Sequence, residues 1–214
     1  MTFKKGKNLK LLDKKSVFIS KETIIGDNVT IYENNRIEGN TIIGDGTVIM
    51  PNCFIKDTVI GKNCVVNYSQ AENSIIGDDC SVGPFARLRP NSKIGNKAKI
   101  GNFVEIKNST IKDNTKVSHL AYVGDADVGE DCNIGCGAIF VNYNGKSKSR
   151  TIVEDNCFIG SNCNVIAPVT IKKNSYVCAG TTVTEDTEEL DFVIGRVRQQ
   201  VKKQRASKYL KNVK

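Results

Sequence analysis

The sequence lacks tryptophan, holds a single histidine and is only 7% aromatic over its 214 residues. That is too little aromatic bulk for an ordinary globular core, but it suits a narrow fold filled by one aliphatic side chain per wall. No apolar run approaches the roughly 18 residues of a membrane span, and residues 1–15 contain no apolar signal-peptide core. We expect a soluble, cytoplasmic protein with no membrane partner. The eight cysteines include no Cys-x-x-Cys pair, which argues against a zinc site, and disulfides are not expected in a cytosolic chain. The basic residues are not interleaved with aromatics for base stacking, and no nucleic-acid motif occurs, so no nucleic acid is expected as partner.

What the chain does have is a period. Ile19, Ile25, Ile31, Ile37, Ile43, Ile49 and Ile55 follow one another at six-residue steps. Six fits neither an α-helix nor a plain two-sided strand. It is the mark of a solenoid that builds one flat wall per hexapeptide. The unit reads aliphatic, commonly Gly, two polar turn residues, a small residue and one variable position, as in Ile25-Gly26-Asp27-Asn28-Val29-Thr30. The register resumes at Ile76, Val82, Leu88, Ile94, Ile100 and Ile106, and steps by five to Ile111 and again from Val123 to Val128. After Phe140 there is a gap before Val153, and the register then runs to Val183. Three hexads make a triangular coil of about 18 residues, and coils stack at about 4.8 Å. The fold class is therefore all-β, a parallel β-helix, and left-handed by analogy with hexapeptide repeats. Six cysteines (Cys53, Cys64, Cys80, Cys132, Cys157, Cys163) lie four places after an anchor, share its inward parity and read as small buried hydrophobes.

Three regions are expected: a flexible basic lead at 1–15 with a helical turn near Leu9, the β-helix at 16–187, and a basic arm at 188–214 lying over the last coil. The lead carries six Lys and one Asp, and residues 196–214 carry eight basic residues and no acid, which leaves the body acidic. Around residues 57–74 the register stumbles: Ile60 and Val66 fit it, but 68–73 is polar and off-phase and reads as a surface bulge between coils. Residues 142–150 (Asn-Tyr-Asn-Gly-Lys-Ser-Lys-Ser-Arg) read as a projecting basic loop around an Asn-Gly turn, because a hidden hexad would put Lys146 in the core.

Stacking turns the sequence into a map of candidate sites. Arg89 and Lys107 each follow an anchor by one place, 18 residues apart, and should lie one above the other. Two cations about 5 Å apart repel, and a phosphate between them would relieve this; splayed, solvated side chains are the bland alternative. His119 is the one natural general base, since imidazole titrates near pH 6.5, although a lone histidine is more often structural. A single histidine cannot supply the three ligands of a hexapeptide-type carbonic anhydrase. Above His119, in successive coils, come Cys136, Ser161 and Ala179, a column of about 14 Å along which a thin ligand could lie with its far end near the basic arm.

These stretches resemble the C-terminal acetyltransferase half of the bacterial bifunctional N-acetylglucosamine-1-phosphate uridyltransferase/glucosamine-1-phosphate acetyltransferase. The strings that carry the resemblance are Gly-Pro-Phe-Ala-Arg-Leu-Arg-Pro at 83–90, Ile-Gly-Asn-Phe-Val-Glu-Ile-Lys at 100–107, Ser-His-Leu-Ala-Tyr-Val-Gly-Asp-Ala at 118–126, Asn-Ile-Gly at 133–135, Val-Asn-Tyr-Asn-Gly at 141–145 and Ala-Pro-Val-Thr at 167–170. The resemblance implies that His119 takes the proton of the sugar amine. It implies that Arg89, Lys107, Tyr122, Asn133 and Lys148 bind glucosamine 1-phosphate, with Glu105 near the amine. Cys136, Asn142, Tyr143, Ser161, Ala179 and Arg196 match acetyl-CoA positions. It further implies acetyl-CoA as co-substrate with no metal required, and a homotrimer whose active sites lie between subunits. No Gly-rich nucleotide-binding segment precedes the repeats, so a stand-alone acetyltransferase is expected, with a separate uridyltransferase as a conceivable partner. The chain departs from the family pattern at Cys136, at 137–140 and at Asn144; nothing marks the Cys136 thiolate as activated. The alternatives are the same chemistry on another phosphorylated or nucleotide-linked amino sugar, and a non-catalytic β-helix scaffold.

Overall fold

The computed structural model describes residues 3–211. It is a β-solenoid of about 11 turns, as the six-residue period predicts, and left-handed, as the analogy with hexapeptide repeats implies. Nearly every strand is two or three residues long and pairs in parallel with the strands one coil below and one coil above. The first wall is a ten-stranded ladder from Lys4–Lys5 to Val169–Ile171. The second and third walls together form a 19-stranded sheet. Ile25 pairs with Ile43, Ile43 with Ile60 and Ile60 with Ile76, so a coil takes 18, 17 or 16 residues.

Each position of the hexad has a physical task. The anchor points inward: Ile31, Ile37, Ile49 and Ile55 are fully buried. Burying each contributes about 1.5–3 kcal/mol. The fourth position also points inward and is small. When it is Thr or Ser, its hydroxyl bridges coils, as Thr47 does by donating to the Gly61 carbonyl (2.8 Å) and accepting from the Cys64 amide (3.1 Å). All six cysteines assigned to this position are buried. Burial pushes the Cys53 thiol up to about 11, as an inert core thiol should behave. Between anchor and fourth position the chain turns a corner with one residue at positive φ. Asn28, Asn63, Asn114 and Asn174 occupy such corners at φ 54–62°, a region that Asn tolerates better than most side chains. Gly26 is required by the stacking itself, because a Cβ there would meet Asp45 Oδ1 at 2.4 Å and the Asp45 backbone nitrogen at 2.9 Å.

Three local expectations change. The basic lead is not helical but continues the coils: Lys4–Lys5 and Lys10–Leu11 pair with Ile24–Ile25 and Thr30–Ile31, and Phe3 is buried. Lys5 stands at the anchor register beside Ile25, and Lys4 and Lys10 at outward positions, which hid the coil from a search for aliphatic repeats. Residues 57–74 form no bulge. Val59–Ile60, Val65–Val66 and Gln70–Glu72 continue the ladders, and Ala71 takes the anchor position between Ile55 and Leu88. Alanine is small enough to break the visible pattern without breaking the coil. At the far end, the last coil is closed by Thr187 and by the first residues of the arm, while the rest of the arm carries no strand. Thr187 is buried and bonds to the Lys172 amide and the Ser175 hydroxyl, and Phe192–Val193 pairs with Tyr176–Val177. Beyond Val193 the described chain is extended apart from a short turn at Arg205–Lys208, and Val197, Val201, Tyr209 and Leu210 are exposed.

Candidate active site

Two strands break the rule of short elements. Lys99–Lys107 and Lys116–Gly124 each run nine residues, straight across the corner between the second and third walls, and pair along their length. This pairing sets Asn102 directly beneath His119. The His119 Nδ1 lies 2.6 Å from Asn102 Oδ1. An amide oxygen can only accept, so Nδ1 carries the proton and Nε2 keeps a free lone pair. The imidazole itself is exposed.

The same corner is lined with bulky residues where other corners have Asn or Gly. Tyr68, Phe85, Phe103 and Leu120 all sit at positive φ (41–58°) and are 40–59% exposed. The rings of Phe85 and Phe103 stack at 5.5 Å, with Tyr68 tilted against Phe85 at 5.8 Å. Left-handed backbone at a bulky side chain costs about 1–2 kcal/mol, so this exposed ridge is strained and apolar at once.

Above His119 the predicted column is present. Gly137 N donates to Leu120 O, Asn162 N to Cys136 O and Gly180 N to Ser161 O, each at 2.8 Å. These bonds tie together the turns that carry His119, Cys136, Ser161 and Ala179. At its top the Arg196 guanidinium donates to the Ala179 carbonyl (3.1 Å). Cys136, Ser161 and Ala179 are exposed; their small side chains leave a smooth track on which an elongated ligand can lie.

The third wall carries the charge. Glu105 and Tyr122 face outward in successive coils, and Leu88 pairs with Ile106, which stacks Arg89 on Lys107 as the spacing predicts. The cations are not left to repel each other, however. Arg89 Nη1 bonds to Glu105 Oε1 (2.8 Å), and Lys107 Nζ to Asp125 Oδ2 (3.0 Å) and Oδ1 (3.3 Å). Their stacking alone therefore does not demand an anion. Lys148, the third candidate cation, stands on the projecting loop, paired across it with Tyr143. Burial opposes the charge on Lys107, yet the Asp125 carboxylate holds its pKa above the ordinary lysine value. Glu105 likewise raises Arg89. Both groups stay charged at neutral pH.

The loop projects as expected. Tyr143 and Lys148 form an isolated antiparallel bridge, and Asn144 Oδ1 accepts from the amides of Lys146 (2.9 Å) and Ser147 (2.8 Å). Arg150 pins its far end by a double bond pair to Asp127 (both 2.5 Å) and by bonds to the Asn108 and Ala126 carbonyls.

One chain does not gather every candidate. Asn133 stands on the second wall, between Lys116 and Phe158, on the other side of the corner from Tyr122 and Lys107. Asn142 and Tyr143 lie at the loop root, a wall's width from the Cys136 column. Asn102 and Asp125 were missed in the sequence. Each stands one coil from a candidate, but the local coil is one residue short, so an 18-residue count passes over Asn102. Among the described residues no group of three or more His, Cys, Asp or Glu is placed to hold a metal, and no helix is long and apolar enough to cross a membrane.

The hexad pattern is also found by comparison with family models. The bacterial transferase hexapeptide (six repeats) matches residues 22–57, the hexapeptide repeat of succinyl-transferase 150–185, and the GMPPB C-terminal domain 70–142. The more particular resemblance also stands. The chain is 54% identical over 96 residues to the bifunctional protein GlmU of Acetivibrio thermocellus, covering 45% of this chain and 21% of that one. It is 58% identical over 93 residues to GlmU of Caldicellulosiruptor saccharolyticus, covering 44% and 20%. The chain thus spans about a fifth of the length of these relatives. Among solved structures, the UDP-N-acetylglucosamine acyltransferases of Arabidopsis (TM-score 0.50, 19% identity, 88% of this chain and 66% of that one) and Francisella novicida (TM-score 0.50, 17%, 80% and 62%) share the fold.

Proposed function

We propose that the protein is a cytoplasmic acetyl-CoA-dependent N-acetyltransferase that converts glucosamine 1-phosphate to N-acetylglucosamine 1-phosphate. The observation that carries this reading is the imidazole of His119, held by Asn102, on the same pair of long strands whose third-wall end stacks Arg89 on Lys107. A scaffold has no use for an oriented base and two stacked cations.

The residues fit the chemistry. Acetyl-CoA supplies the acetyl group as a thioester. The neutral C2 amine attacks the thioester carbon, the new C–N bond forms as the C–S bond breaks, and the amine proton passes to His119 Nε2. Asn102 keeps the imidazole in the accepting tautomer and stabilises it once charged. Arg89, Lys107, Lys148 and Tyr122 hold the sugar phosphate, with Glu105 toward the amine. Cys136, Ser161 and Ala179 provide the track for the pantetheine chain, and Arg196 a cation at its phosphate end. The chemistry requires no metal.

We further propose a homotrimer with sites between subunits. Asn133 lies across a corner from the sugar wall, Asn142 and Tyr143 lie away from the track, and an apolar ridge is exposed beside His119. A second copy seated at the ridge would bring these parts to one ligand. A separate uridyltransferase as consumer of the product also belongs to this proposal.

The test is thiol release from acetyl-CoA with glucosamine 1-phosphate, glucosamine 6-phosphate and a UDP-linked amino sugar offered in parallel. Turnover with the 1-phosphate alone supports the assignment. Turnover only with another acceptor moves the substrate, and no release from folded protein returns the scaffold.

A further inference from the structure

Asp125 is the one buried carboxylate of the described chain that faces the sugar wall, being 7% exposed. It turns the corner between the third and first walls at φ 50°. Three side chains converge on it. Lys107 Nζ donates at 3.0 and 3.3 Å, Asn108 Nδ2 at 2.6 Å, and Asn142 Nδ2 makes a close bond to Oδ2. Asn142 also lies 3.5 Å from the Tyr122 hydroxyl. The backbone of Asp125 is engaged as well, with its amide on the Lys107 carbonyl (2.9 Å) and its carbonyl accepting from Thr151 at the loop's end (3.1 Å). Burial pushes its pKa up, but the bonds from Asn108, Lys107 and Asn142 outweigh this and hold it below the usual carboxylate range.

A buried carboxylate with three donors is expensive unless its position matters, because deleting any partner leaves charge unpaired. The partners here come from two functional groupings. Lys107 belongs to the sugar-phosphate wall, and Asn142 begins the loop that carries Tyr143 and Lys148. Resting on the acetyltransferase reading above, we propose that Asp125 is a positioning residue that ties these groupings together. It fixes the Lys107 ammonium over the sugar phosphate and anchors the root of the loop, so that both substrates are placed by one carboxylate. It touches neither substrate. Its charge also offsets Lys107 when no phosphate is present.

The test uses the full chain with Asp125→Asn, which keeps the shape and tolerates the left-handed corner but turns one acceptor oxygen into a donor facing Lys107. KM should rise about tenfold for glucosamine 1-phosphate and severalfold for acetyl-CoA, with kcat changed less. In a Lys107→Ala background, the Asp125→Asn effect on the sugar KM should largely vanish while that on acetyl-CoA persists. Amide exchange of residues 142–151, measured without substrates, should rise in Asp125→Asn while the ladders outside the loop stay protected. Turnover by the wild type together with unchanged KM values and unchanged loop exchange in the variant overturns the role of Asp125 and leaves the proposed function standing. Exchange that rises throughout the solenoid overturns it too, because Asp125 would then be a folding residue. No turnover by wild type removes the function and the catalytic part of the role, and the loop exchange alone then decides whether Asp125 anchors the loop.

Discussion

The first four coils and the middle ones share a backbone but not a vocabulary. Up to about residue 66 the corners are Asn, Asp or Gly, and Ile24, Ile42 and Val59 line one outer wall. From Tyr68 to Leu120 the same corner carries two aromatic rings in a stack, a tyrosine and a leucine, all in the backbone region that such side chains avoid. There too the strands lengthen to nine residues, and Asn102, His119, Arg89 and Lys107 appear within two coils. The contrast teaches where to look. A repeat that obeys its own rules is scaffold, and the coils that break them carry the chemistry.

The sharpest way to break this contrast is His119→Ala. kcat should fall by about 10²-fold or more with the sugar KM within a few-fold, since the ring is exposed and supports no packing. A parallel loss of thermal stability would put His119 back among structural residues. Next in size, Lys107→Ala should raise the sugar KM about tenfold or more while kcat holds; an unchanged KM removes Lys107 from the phosphate site. Asn102→Ala should lower kcat about tenfold without moving either KM, because the base would lose its held tautomer but not its place. Equal activity in this variant would mean that the 2.6 Å bond does not serve catalysis.

The ridge can be tested by making it resemble the ordinary corners. Phe85→Asn relieves backbone strain of about 1 kcal/mol in the single chain, yet should weaken the trimer, so that activity falls on dilution and sedimentation shows smaller species. An unchanged assembly would mean that the copies meet elsewhere. The smallest effect concerns the loop clamp. Arg150 holds the Asp127 carboxyl below the usual carboxylate range, so the clamp is fully present at neutral pH and is lost as pH falls through the lowered value. Both side chains are more than a third exposed, and solvent screening limits the contribution to about 1 kcal/mol or less. The protection of the loop amides, taken relative to the intrinsic exchange rate at each pH, should therefore be flat above about pH 5 and fall in stronger acid, and Asp127→Asn should abolish that pH dependence.

The coils were legible because one aliphatic residue in six must fill each wall, and no other packing explains that period. Ala71 and the Lys4–Lys5 coil were not, because the period is visible only where the anchor is a large aliphatic residue, and here alanine and Lys5 stand at the anchor register. In the candidate site, Arg89 over Lys107 and the column above His119 followed from counting hexads. What escaped were the partners. Glu105 was assigned to the sugar rather than to Arg89, and Asp125 was unassigned, because counting anchors says which side chains stack and not which way a long one bends. Asn102 escaped for arithmetic reasons, standing 17 residues below its partner. The strings from 100 to 126 contained it, and the five-residue steps at Ile111 and Val128 were the signal that could have found it.

Because every strand bonds only to the coils directly above and below, the molecule behaves statistically like a one-dimensional chain of coupled spins rather than a single cooperative droplet. Disorder entering at either end must cross each interface in turn, and the paired nine-residue strands are the longest interface it meets. The terminal coils can therefore open and close as independent thermal fluctuations while the corner that holds His119 keeps its register.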